Sequence, residues 1–153
     1  MAMRFDSSDM KHSGEKMYNI LHVDDSSSIR SLLIELLNKE GRFSVTQKVN
    51  GQDAWDYLKE LRNRCEAEER PISDFVHGII TDIEMPGMDG LALCKLVKED
   101  RILQKLPVAI FSSMINEPLA KKCAVVGADV QYTKPDLKVL SVKLYDLVTQ
   151  AWG

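Results

Sequence analysis

Val76-His77-Gly78-Ile79-Ile80-Thr81-Asp82-Ile83-Glu84-Met85-Pro86-Gly87-Met88-Asp89-Gly90 is an apolar run that ends abruptly at an acid and then enters a Pro-Gly turn. Short apolar runs bounded by turn residues read as buried strands of a parallel sheet. Asp82 then stands where the strand leaves the sheet, at its carboxyl end. In open α/β sheets that edge is where ligands bind. The stretch therefore nominates Asp82 as a nucleophile and asks the rest of the chain for its partners.

Working outward, Tyr18-Asn19-Ile20-Leu21-His22-Val23 is a strand that ends at Asp24-Asp25, and Ser26-Ser27-Ser28 offers hydroxyls to cap a helix. Ile29, Leu32, Leu33, Leu36 and Leu37 recur at helical spacing until Gly41. Phe43 to Val49 alternates as an edge-like strand, and Asn50-Gly51 turns into a helix carrying Ala54, Leu58, Leu61 and Cys65 on one face. The continuation over 62–70 is heavily charged, a solvated extension closed by Pro71. After the opening stretch come a helix over about 91–100 and a strand over 107–111 ending at Ser112-Ser113. A helix over about 117–126 with Gly127 beyond it and a strand over 129–133 ending at Lys134-Pro135 follow. A last helix through Leu137, Leu140, Leu144, Leu147 and Val148 runs nearly to Trp152. Five strands alternating with five helices predict parallel strands with right-handed crossovers and helices on both faces. The expected fold is α/β, a flavodoxin-like doubly wound (βα)5 sheet of order 2-1-3-4-5. Residues 18–153 read as one domain, and 1–17, polar and aperiodic, as a disordered tail or a linker stub.

Composition narrows the function. A net charge of −3 gives no basic face for nucleic acid. No apolar run approaches the roughly 20 residues of a membrane span, and the first residues lack the apolar core of a secretory signal. Cys65, Cys94 and Cys123 show neither paired nor metal-like spacing and read as reduced core thiols of a cytoplasmic protein. His22 and His77, in apolar strands, read as satisfied interior histidines, and Trp55 and Trp152 as packing residues.

At the carboxyl ends of the strands stand Asp24, Asp25, Asp82, Ser112 and Lys134. In a 2-1-3-4-5 sheet these ends are neighbours, so the five side chains converge on one cleft. Two unit charges about 4 Å apart cost about 4 kcal/mol at an effective dielectric near 20. The carboxylates therefore hold protons or are offset by a cation. Hard oxygen donors without His or Cys suit Mg²⁺. A Mg²⁺, a lysine and a hydroxyl beside a carboxylate are what phosphoryl transfer to that carboxylate requires. Each residue alone has an ordinary explanation: Asp24-Asp25 at a helix start, Lys134-Pro135 in a solvated turn, Ser112 at a strand end.

Taken in order, Asp24-Asp25, Thr81-Asp82 through Asp89-Gly90, Ser112 and Lys134-Pro135 resemble a receiver domain of two-component response regulators over about 18–152. The resemblance implies that Asp82 is the phosphoacceptor and that Asp25, Asp82 and the Glu84 carbonyl bind Mg²⁺. It also implies that Asp24 orients metal-bound water, Lys134 pairs with the acceptor or its phosphoryl group, and Ser112 is the switch hydroxyl. The implied donor is a histidine kinase, and the implied activity is limited to the module's own phosphorylation and hydrolysis. Leu21-His22-Val23-Asp24-Asp25-Ser26-Ser27, Phe111-Ser112-Ser113, Gly127-Ala128-Asp129-Val130-Gln131 and the long charged second helix are further similar to the receiver half of CheV chemotaxis coupling proteins. That subgroup implies a chemotaxis kinase as donor and a CheW-like coupling domain before residue 1. Glu84, Met114 and Gln131 depart from the general receiver pattern. Gln131, at the switch position, replaces an aromatic, while Tyr132 beside it is expected on the other face of its strand. Two competing functions are a Mg²⁺-dependent phosphatase with an aspartyl nucleophile, whose Asp-x-Asp signature Asp82-Ile83-Glu84 only loosely imitates, and an unphosphorylated interaction scaffold.

Overall fold

The structure is a computed structural model that describes residues 17–113, 115–134 and 137–153. The expectations for the tail, Met114 and Pro135 therefore fall on residues outside those described. The chain alternates strands and helices as β1 (Tyr18–Val23), α1 (Ser27–Glu40), β2 (Phe43–Lys48), α2 (Gly51–Glu68), β3 (Gly78–Thr81), α3 (Gly90–Glu99), β4 (Val108–Ser112), α4 (Glu117–Val125), β5 (Val130–Thr133) and α5 (Leu137–Trp152). All strand pairs are parallel, in the order β2-β1-β3-β4-β5. This is the flavodoxin-like (βα)5 sheet expected from the alternation.

Successive side chains of a strand point to opposite faces, and the core divides accordingly. Tyr18 and Ile20 of β1, Ile80 of β3, and Ala109 and Phe111 of β4 pack with Leu33 and Leu37 of α1 and Leu140, Leu144 and Val148 of α5. The alternate residues Leu21, Val23, Ile79, Val108 and Ile110 pack with α2, α3 and Cys123 of α4. Each fully buried Leu, Ile or Val contributes about 1.5–3 kcal/mol, so the central strands are fixed by both layers at once. Cys65, Cys94 and Cys123 are free and buried in the second layer; burial raises all three thiol pKa values, Cys94 to about 11.

Two boundaries differ from the sequence reading by two residues, and several others by one. β3 begins at Gly78 rather than Val76, because Phe75 and Val76 are still bonded back to Ile72 in a short 3-10 turn. The charged extension of α2 is helical to Glu68, and Glu69 closes it at φ 53°. Arg64, Glu68, Arg70 and Asp74 pair with one another on that exposed end.

Candidate functional site

Asp24 follows β1 directly, and its backbone N–H still bonds the Lys48 carbonyl of β2 at 3.2 Å. Its Oδ1 accepts the Ser26 N–H at 2.9 Å, and its carbonyl accepts the Arg30 guanidinium at 2.8 Å. Ser26 in turn caps α1 through the Ile29 N–H, as expected for a hydroxyl at a helix start. Asp24 is thereby fixed at full burial, while Asp25 is exposed.

Asp82 keeps the strand register: its N–H bonds the Val23 carbonyl at 2.9 Å. Its Oδ1 accepts the Ile83 N–H at 2.8 Å, and its carbonyl accepts the Thr81 hydroxyl. The turn beyond passes through Gly87 at φ +76° and folds back, with Gly90 N–H on the Ile83 carbonyl at 2.9 Å. A Cβ at Gly90 would collide with the Asp82 carbonyl oxygen, so only glycine allows this close return. Asp89 caps α3 through the Ala92 N–H. The stretch that decides the fold is thus also the loop that braces Asp82.

Oxygens of Asp24, Asp25 and Asp82 lie within 4.8 Å of one another. Lys134 Nζ enters this cluster, 2.9 Å from Asp24 Oδ2 and 3.4 Å from Asp82 Oδ2. Burial pushes the Asp82 carboxyl up; the Asp24 charge adds to the rise, while Lys134 and the Ile83 N–H oppose it without cancelling it. A carboxyl with a raised pKa among like charges is a group that a further cation would relieve. The donor set fits Mg²⁺: three carboxylates in reach of one point, with oxygen ligands alone. Glu84 has an exposed side chain, two residues beyond Asp82.

Ser112 ends β4, nearly buried, and its carbonyl accepts the Lys134 N–H at 2.7 Å, which ties the strand end to the lysine. Lys134 also lies over the Phe111 ring, 5.6 Å from its centre. Gln131 sits farther along β5, opposite Ile110, and lines a surface groove with Tyr132 and Lys143. Tyr132 belongs to the α1–α5 layer, and burial raises its pKa to about 12. The structure thus gathers Asp24, Asp25, Asp82 and Lys134 into one cluster and joins Ser112 to it through the backbone. Gln131 belongs to the neighbouring surface.

One participant escaped the sequence reading. His22 is fully buried, but only its Nδ1 is hydrogen-bonded, to Gln47 Nε2 at 3.0 Å; Nε2 faces Asp24 Oδ2 at 4.0 Å. It is therefore a half-satisfied histidine. Burial lowers its pKa to about 4, against the pull of Asp24, so the ring is neutral at neutral pH. The i, i+2 spacing of His22 and Asp24 on a strand, which places both on one face, was the available signal. His77, by contrast, is satisfied: Nδ1 accepts the Asn19 N–H, and its carbonyl accepts Trp152 Nε1.

A family model for the response regulator receiver domain matches residues 20–144. The two-component response regulator ARR15 of Arabidopsis thaliana is 34% identical over 143 residues, covering 94% of this chain and 68% of that protein. The regulator ORR4 of Oryza sativa subsp. indica is 34% identical over 140 residues, covering 87% of this chain and 57% of its own. Among solved structures, the chemotaxis protein CheY4 of Vibrio cholerae superposes with a TM-score of 0.68 at 25% identity, covering 86% of this chain and 98% of that one. No helix of the described residues is long and apolar enough to cross a membrane. With the sheet order, the acidic cluster and this match along most of its length, the chain belongs to the response regulator receiver domain family.

Proposed function

We propose that Asp82 accepts a phosphoryl group from a phosphohistidine of a chemotaxis-type kinase, in a cytoplasmic module that catalyses only its own phosphorylation and dephosphorylation. The observation that carries this reading is Lys134, shared between Asp24 and Asp82 inside a three-carboxylate cluster. Asp24, Asp25, Asp82 and the Glu84 carbonyl are the residues that would hold Mg²⁺. Bound there, the cation supplies charge neutralisation for the transferring group and for the carboxylates.

The chain's own residues do the rest. The Ile83 N–H fixes one oxygen of Asp82, so the carboxylate is presented in a single orientation. A carboxylate oxygen of Asp82 forms the new O–P bond as the N–P bond of the donor breaks, and that electron pair returns to the imidazole nitrogen. Lys134 turns from the two carboxylates to the incoming phosphoryl oxygens, and the Ser112 hydroxyl closes on another. Movement of Ser112 resets the surface of α4, β5 and α5, where Gln131 stands, and so alters what that surface binds.

The chemotaxis assignment, and within it the CheV-type coupling subgroup with a CheW-like domain ahead of residue 1, rests on the motif resemblance. The likenesses to the Vibrio cholerae chemotaxis protein and to the plant regulators speak for the receiver family alone. Mixing the protein with a phosphorylated chemotaxis kinase and Mg²⁺ should transfer label to it, and Asp82→Ala should abolish that transfer. Label that survives in Asp82→Ala, or none in the native chain, refutes the proposal. Steady turnover of a small phosphate ester lost in Asp82→Asn would instead establish a phosphatase.

A further inference from the structure

Among the described residues, the buried side-chain atoms left without a hydrogen bond are His22 Nε2 and Asp24 Oδ2, and they face each other. Both residues are fully buried, and the separation of 4.0 Å is about 1 Å too long for a hydrogen bond. Asp24 Oδ2 is ion-paired, so the wholly unmet atom is the ring nitrogen, and such buried atoms are rare because each is costly. Among the described residues the ion pair of Asp24 Oδ2 is with Lys134, at 2.9 Å.

The hydrogen bonds around His22 settle where its proton lies. Gln47 Nε2 donates to the Arg30 carbonyl at 2.8 Å, which identifies it as the amide nitrogen. The same nitrogen lies 3.0 Å from His22 Nδ1, so Nδ1 accepts. With Nδ1 accepting, the ring carries its hydrogen on Nε2, pointed at Asp24. Arg30 braces both ends of this arrangement: its carbonyl holds Gln47, and its guanidinium holds the Asp24 carbonyl. A donor is aimed, held from β2 and α1, and left unused.

We propose that His22 is a positioning residue for Asp24, whose Nε2–H takes over Asp24 Oδ2 when Lys134 turns to the phosphoryl group on Asp82. Lys134 Nζ lies 2.9 Å from Asp24 and 3.4 Å from Asp82, so a shift toward phosphoryl oxygens carried on Asp82 draws it away from Asp24. Without His22, that shift would weaken the ion pair that Asp24 Oδ2 makes with Lys134, with no other protein side chain to replace it among the described residues. With His22, a closure of about 1 Å makes the missing hydrogen bond and keeps the carboxylate in place. This inference rests on Asp82 as phosphoacceptor.

The test uses the full chain, Mg²⁺, and beryllofluoride as the phosphoryl stand-in. Long-range ¹H–¹⁵N spectra of the native imidazole should show the Nε2–H tautomer, with its proton moving downfield on loading with Mg²⁺ and beryllofluoride. His22→Leu fills the same space without an unsatisfied donor, so its Tm should equal or exceed the native value. Its affinity for Mg²⁺ with beryllofluoride, read from the Ile83 amide shift, should nevertheless fall about tenfold. His22→Gln, which restores an N–H near the same place, should recover most of that loss. An Nδ1–H tautomer, an Nε2–H resonance unmoved by loading, or native-like affinity in His22→Leu overturns the inference. Should His22→Leu fold poorly, the native imidazole spectra alone decide. A native chain that binds neither probe defeats the phosphoacceptor reading and this inference together. Native binding with an indifferent His22→Leu defeats this inference only.

Discussion

Replacing the acid at the centre of the site should stabilise the fold. In Asp82→Asn the shape is kept and one negative charge is removed from a cluster whose oxygens lie within 4.8 Å of one another. At an effective dielectric near 20, appropriate because Asp25 opens the cluster to solvent, each repulsion at that distance is worth about 3.5 kcal/mol. Asp82 has two such neighbours and one attraction, to Lys134 at 3.4 Å, worth about 5 kcal/mol on the same scale. Repulsion exceeds attraction by about 2 kcal/mol, and solvent around Asp25 reduces this to a net gain of about 1–2 kcal/mol for Asn. For a domain of this size that is a rise in Tm of roughly 2–8 °C.

The pH dependence follows from the raised Asp82 pKa. The folded state holds that proton more tightly than the unfolded chain does, so the native penalty is absent below the ordinary carboxylate range. It grows as pH rises above that range and is complete once the pH exceeds the folded pKa. Calorimetry in metal-free buffer should therefore show the Asn variant ahead at neutral pH and level with the native protein at acid pH. Adding Mg²⁺ should raise the native Tm far more than the variant's and close the gap. An Asn variant less stable than the native chain at neutral pH without Mg²⁺ would sink the charge-repulsion account of the site.

Gly90→Ala should cost about 1–3 kcal/mol in urea unfolding, because the new methyl displaces the Asp82 carbonyl; a neutral result would mean that the loop has slack. Its Mg²⁺ affinity should fall as well, read from the same amide shifts. Arg62→Ala should cost about 1–2 kcal/mol, since Arg62 meets the nearly buried Asp100 at 2.6 Å. Arg101→Ala, which loses only an exposed pair with Glu66, should stay within about 0.5 kcal/mol of native. Glu84→Asn should shorten the life of the phosphorylated protein, because the native anion two residues from Asp82 repels the hydroxide-like attacking water. A longer life in Glu84→Asn, followed by loss of label, contradicts that role.

The layered sheet was legible because its signals are local. Leu21 and Val23 alternate with Ile20 and His22, each helix carries an apolar face, and every strand that builds the site ends at or just before a polar residue. Asp24, Asp82 and Lys134 could be grouped from chain order alone once the strand order was known. The start of β3 was not legible, because Val76 is as apolar as a strand residue and only its bond to the Ile72 carbonyl places it in a turn. Nor was the role of His22. Its unsatisfied nitrogen is defined by Gln47 and Arg30, which lie on β2 and α1 and carry no pattern that points to a histidine. Packing decides such pairings, and packing is non-local.

Lys134, the cation that contacts both Asp24 and Asp82, comes more than a hundred residues after Asp24 and sits just past the last strand. During synthesis Asp24, Asp25 and Asp82 all leave the ribosome well before it. A nascent or truncated chain that lacks β5 carries the acids without their counter-charge, and mutual repulsion holds them apart. Docking of β5 is therefore the step that brings the lysine to Asp24 and Asp82 and lets the acids stand together.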